Sequence, residues 1–252
     1  MEGYYYLIAV IGGFLAGVIN TLAGSGSAIT LTILTELLGL PGNVANGTNR
    51  VGVLTAGIAS TLAFYRNGKL DVPRSRPYII PTIIGAVAGI LVAIWVSNEQ
   101  FRAVFQYLMV LMLVVVLIKP KRWLQETEPT STLPTWLSFP IFLALGFYGG
   151  FIQMGMGVFF LASMVLVARY NIIDANAVKA FVVTAYTLLA VAIFHYKGLI
   201  DWSMGGVLAV GQTLGGWLTA VYASRYPSAG IWAYRLLVGI VILAVLRLFG
   251  AF

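Results

Sequence analysis

The sequence predicts an all-α integral membrane protein made of two inverted-topology repeats of about five helical segments each, with short, glycine-interrupted second segments. Three observations carry this expectation. Hydrophobic residues make up 60% of the chain and charged residues only 9%, against about a quarter charged in soluble domains. Apolar runs near the roughly 20 residues needed to cross a bilayer recur along its length. The two halves also repeat one another at a nearly constant offset.

The segments run in order as follows. Residues 4–23 open with Tyr4, Tyr5 and Tyr6, an aromatic anchor for the membrane interface. Residues 28–38 are too short to span, at about 16 Å of helix. Residues 48–65, 78–96 and 101–118 complete the first repeat, taken as 1–118. A polar linker at 119–135 carries Lys, Arg, Glu, Pro, Ser and Thr. The second repeat, 136–252, holds segments at 136–153, 158–168, 177–194, 203–223 and 232–249, and its second segment is again short. Each short segment follows a glycine-rich break, Gly24-Ser25-Gly26-Ser27 in one half and Gly155-Met156-Gly157 in the other. Interrupted segments at matched positions of two halves are the best sequence pointer to a transporter's binding site.

Residue matches support the duplication. Phe64, Gly68 and Asp71 recur as Phe194, Gly198 and Asp201, each 130 positions on (194 − 64), and Asn46 recurs as Asn176. Gly13, Gly17 and Asn20 correspond to Gly146, Gly150 and Gln153 at an offset of 133. An odd number of segments per repeat places the copies in opposite orientations. Lys and Arg concentrate in cytoplasmic loops, and one orientation puts eleven of the fifteen inside. Both termini then lie outside a cytoplasmic (inner) membrane.

Several function classes are excluded. There is no cysteine and a single histidine, His195, so thiolate chemistry and a multi-histidine metal centre have no ligands. No cofactor or metal is expected. The net charge of +7 is accounted for by loop bias, and no basic run interleaved with aromatics suggests nucleic acid. No nucleophile, base and oxyanion constellation appears, so an enzyme is not expected.

The polar residues that remain point to a small anionic substrate. Asn46, Thr48, Asn49 and Arg50 form the densest polar cluster, with Asn176 and Lys179 as counterpart. Each cluster is expected to open a long helix, with Asn46 and Asn176 as N-caps and free backbone N–H groups for an anion. Residues 24–27, Gly155 and Gly157 would add backbone donors at the breaks. Asn20, Thr82, Gln153 and Gln212 sit within apolar segments, where a polar group needs a partner. Asp71 and Asp201 are expected to cap the helices that follow them. Glu36, the one acid within a segment, is a candidate for ion coupling.

These stretches resemble the TauE/SafE family of sulfite and organosulfonate permeases. The resemblance rests on residues 13–17, 19–27 and 45–51 in the first half, and on 146–153 and 175–179 in the second. It implies transport of sulfite, sulfonates or related small anions. An anion channel and a non-transporting scaffold stay open as alternatives, as do substrate, direction, coupling ion and oligomeric state.

Overall fold

Residues 3–95, 134–151, 153–226 and a few positions between 228 and 242 are described by the computed structural model. The fifth predicted segment, most of the linker and most of the tenth segment lie outside them. The described residues are helical, without strands. In order they form α1 (Gly3–Leu22), α2 (Ser27–Thr32), α3 (Gly42–Arg66), α4 (Val72–Ala93), α5 (Thr135–Phe151), α6 (Met156–Ala162), α7 (Ile172–Tyr196) and α8 (Trp202–Arg225). Helices α4, α7 and α8 are each long and apolar enough to cross a membrane.

The two short segments fall where the glycine breaks predict. Gly24 and Gly155 both take φ +79°, a left-handed conformation that glycine adopts at no steric cost. After each break the chain makes a short helix, α2 or α6. A wider π-turn, Ile33–Leu37 or Ser163–Val167, then continues it. π-Turns had no signal in the sequence.

The long third segments begin earlier than expected. Helix α3 starts at Gly42 after Pro41, and α7 at Ile172 after Asn171, whose side chain accepts from the Ile173 and Asp174 amides. Asn46 and Asn176 are therefore not N-caps. They lie inside their helices and are buried. The apolar pattern misled because the first turns are covered by protein, which lets polar residues sit inside. Asp71 and Asp201 do cap, accepting from the Arg74 and Met204 amides at 3.0 Å each.

Two glycine seams organise the packing. Gly13 and Gly17 on α1 face Gly211 and Gly215 on α8, and Gly85 and Gly89 on α4 face Gly146 and Gly150 on α5. At all eight positions an added Cβ would meet backbone of the opposing helix. Small residues four apart let membrane helices approach this closely. Helices α3 and α7 cross between the two seams. Exchanging the halves turns the α1·α8 pair into α5·α4, and both pairs pack extensively, whereas α3 packs on α8 far more than its counterpart α7 packs on α4. Leu7, Ile11 and Leu15 on α1, and Val210, Leu214 and Leu218 on α8, are exposed at helical spacing. In water such stripes would be a liability. Against acyl chains they are the expected surface.

Candidate functional site

The two broken helices meet at the centre of the described fold. Gly24 lies against Gly157, close enough that a Cβ on Gly157 would stand 2.5 Å from the Gly24 Cα. Beside this contact is a cavity of about 30 Å³, walled by the breaks and the middles of α3 and α7. One water needs roughly 10–15 Å³ measured this way, so the space suits a few water-sized groups. Five predicted residues line it: Asn20, Gly24, Gln153, Gly157 and Lys179.

Lys179 is buried and spends all three ammonium protons. It donates to the carbonyls of Asn20 at 2.7 Å and Thr21 at 3.1 Å, and to Asn176 Oδ1. Asn176 in turn donates to the carbonyls of Leu22 and Ile172. The last carbonyls of α1 are thus capped by a cation from the other half, at the negative end of the helix dipole.

Arg50 does the reciprocal job with donors to spare. Fully buried, it donates from Nη2 to the Gly150 carbonyl near the end of α5 at 2.8 Å. Its guanidinium stands 5.2 Å from the centre of the Phe194 ring. The Nε and Nη1 protons have no hydrogen-bond partner. Among the described residues neither cation is paired with a carboxylate. Both are buried, so neither belongs to the loop charges that set the orientation. They are also one residue out of register: α3 and α7 start 130 positions apart, which matches Lys179 with Asn49.

The other predicted residues divide. Thr48 Oγ1 accepts from the Asp201 amide at 2.9 Å and ties α3 to the α7–α8 turn. Asn49 Oδ1 accepts from Thr30 and from Gln212 Nε2, leaving its own amide donor free. Gln212 therefore packs on α3 rather than on the cavity. Thr82 bonds back to the Tyr78 carbonyl of its own helix at 2.6 Å. Ser25 Oγ and Asn46 Oδ1 are buried without partners. Gly26 packs on the Ala16 backbone, and Ser27 opens α2. Several first-turn amides are already taken by local turns, such as Ala28 to Ser25 and Val158 to Gly155. The breaks therefore offer fewer free N–H groups than expected. The Glu36 side chain lies outside the described residues.

Sequence reasoning passed over Thr21, Ser60 and Tyr186, which line the cavity together with Met156 of the second break. Thr21 and Ser60 share a weak 3.4 Å contact, and the Tyr186 hydroxyl points to the Met156 sulfur at 3.8 Å. A tyrosine in mid-segment was the available signal.

With this geometry in view, the comparisons with known proteins bear on the whole chain. The family described as "Sulfite exporter TauE/SafE" matches residues 9–248. The chain belongs to this family. Its relatives include a probable membrane transporter protein, ORF9, of Sinorhizobium sp., 27% identical over 89% of this chain and 85% of that one. YfcA of Escherichia coli K12 is 26% identical over 84% and 77% of the two chains, and YunE of Bacillus subtilis is 24% identical over 85% and 87%. Both are likewise named probable membrane transporter proteins. This TauE/SafE chain is a membrane transporter, and the cavity lies beside the contact between its two glycine breaks.

Proposed function

We propose that the chain is a secondary transporter of small sulfur-containing oxyanions, sulfite or sulfonates among them, working by alternating access around an anion site between two inverted repeats. The observation that carries the anion is the pair of buried cations, Arg50 and Lys179, without a described counter-charge. A buried charge is costly unless compensated, and an anion supplies the compensation. The sulfur in the proposal comes from the family, whose name denotes sulfite export.

A rim contact supports inversion. Lys197, just past the end of α7, sits 5.6 Å from the centre of the Trp95 ring, just past the end of α4. Helix α4 starts beside the end of α3, so α3 and α7 finish at opposite ends of α4. With basic residues mainly inside, the α3–α4 turn is cytoplasmic and the α7–α8 turn external. Impermeant amine labelling from outside should therefore modify Lys197 and spare Lys69. Equal labelling of the two would overturn the inverted arrangement.

The transport reading is tested by sulfite counterflow in proteoliposomes. Saturable exchange is expected. An unsaturable current would make the protein a channel, and no flux of any small anion would make it a scaffold. Within this scheme Arg50→Gln should weaken anion binding more than about tenfold, or 1.4 kcal/mol. One charge at short range is worth several kcal/mol at an effective dielectric near 20. Arg50→Lys should recover part, since the planar fork is lost. Arg66, exposed at the end of the same helix, supplies the control, and Arg66→Gln should do little. Equal, small effects of Arg50→Gln and Arg66→Gln would remove Arg50 from the site.

A further inference from the structure

We infer that Gln153 reads a hydroxyl on the substrate, so that the site selects the monoprotonated form of an oxyanion over a form without an O–H group. This rests on the anion site proposed above and narrows its substrate.

Gln153 lines the central cavity and is only 6% exposed. Neither its Oε1 nor its Nε2 has a hydrogen-bond partner. Its backbone holds φ +61°, a left-handed conformation unusual for a residue with a side chain. A buried amide with both ends free, on a residue whose backbone is strained, is where a ligand contact is expected.

The chemistry of that amide is specific. Whichever way it is turned, a carboxamide presents one donor and one acceptor side by side. A fully deprotonated oxyanion offers acceptors only and would leave Oε1 orphaned. A group of the form HO–X–O⁻ offers a donor and an acceptor along one edge. Its hydroxyl donates to Gln153 Oε1, and its anionic oxygen accepts from Nε2. Lys179, its protons committed to Asn20, Thr21 and Asn176, contributes positive charge and no free donor. Tyr186 is the other titratable residue on the cavity wall.

Hydrogen sulfite and methanesulfinate make the test, because a methyl replaces the hydroxyl at nearly constant shape and charge. Both are titrated against purified protein at one mildly acidic pH, where sulfite is mainly hydrogen sulfite. With no cysteine in the chain, sulfite cannot react with disulfides. Wild type should prefer hydrogen sulfite by at least about tenfold, since sites built for a substrate O–H reject analogues lacking it. Gln153→Met, of similar length, should erase that preference, chiefly by weakening hydrogen sulfite. Equal binding of the two anions by wild type overturns the role of Gln153 and leaves the anion site standing. So does a preference that survives in a folded Gln153→Met protein. Binding of neither anion overturns the anion site itself. Should the variant fail to fold, the comparison in wild type decides.

Discussion

Gly157→Ala should abolish transport and sharply lower the yield of folded protein. The new Cβ would stand 2.5 Å from the Gly24 Cα, 2.6 Å from its carbonyl oxygen and 3.0 Å from its carbonyl carbon. Carbon atoms in contact prefer about 3.5–4.0 Å. Every atom it meets is backbone, so no rotamer change relieves the clash. The two breaks must instead part by about an ångström, which disrupts the contact between the halves beside the cavity. Overpacking of this kind costs about 1–3 kcal/mol and sometimes more, and the cavity wall moves with it. Gly206→Ala is the control. It lies in α8, where an added Cβ meets nothing within 4 Å, and Ala in a helix is favoured over Gly by about 0.5–1 kcal/mol. The readouts are monodispersity, thermal unfolding in detergent, and flux in liposomes. If Gly157→Ala matched Gly206→Ala in all three, the contact between the breaks would have no part in stability or transport.

How much of this was legible in the sequence depends on the kind of signal. The glycine breaks were, because φ +79° at Gly24 and Gly155 demands a residue that few others can replace. The short segments followed, expected at 28–38 and found at Ser27–Leu37 when the π-turn is included. The caps at Asp71 and Asp201 were legible from their matched turns. The starts of α3 and α7 were not. Apolar periodicity marks the lipid-facing part of a helix, and the polar turns at Asn46 and Asn176 are covered by protein. The partners of the two cations were also hidden. Backbone carbonyls at Gly150, Asn20 and Thr21 carry no side-chain signature, so Arg50 and Lys179 showed as charges without a destination. The polar residues of the motif do not all line the cavity. Thr48 and Gln212 belong to packing between α3 and the second half, while Gln153 faces the cavity with both ends free.

Lys179→Met should cost both stability and transport, and the way the two losses divide is informative. The substitution keeps the length and apolar stem but removes three hydrogen bonds, to the Asn20 and Thr21 carbonyls and Asn176 Oδ1. A buried acceptor left unpaired costs about 1–3 kcal/mol. Against this, an ammonium no longer has to be desolvated, and that relief is also several kcal/mol in a low-dielectric site. Water in the adjoining cavity can re-pair one carbonyl at most cheaply, because the space admits only a few molecules. The expected balance is a destabilisation of about 2–4 kcal/mol, concentrated where α1 ends against α7. Anion binding should fall by more than about tenfold, since the cavity loses the charge nearest to it. Lys197→Met is the control. Its ammonium lies over Trp95 at an exposed rim, where such a contact is worth about 0.5–1 kcal/mol. Thermal unfolding and anion titration on the same preparations separate two roles. A destabilised Lys179→Met protein that still binds anion at wild-type strength, assayed well below its unfolding temperature, would make Lys179 a helix cap alone. A stable variant without anion binding would make its charge the substrate's counter-ion and the cap incidental. Loss of both is the result expected if one ammonium holds the broken helix of the opposite half and supplies the site's potential, because an anion could then loosen that hold as it enters.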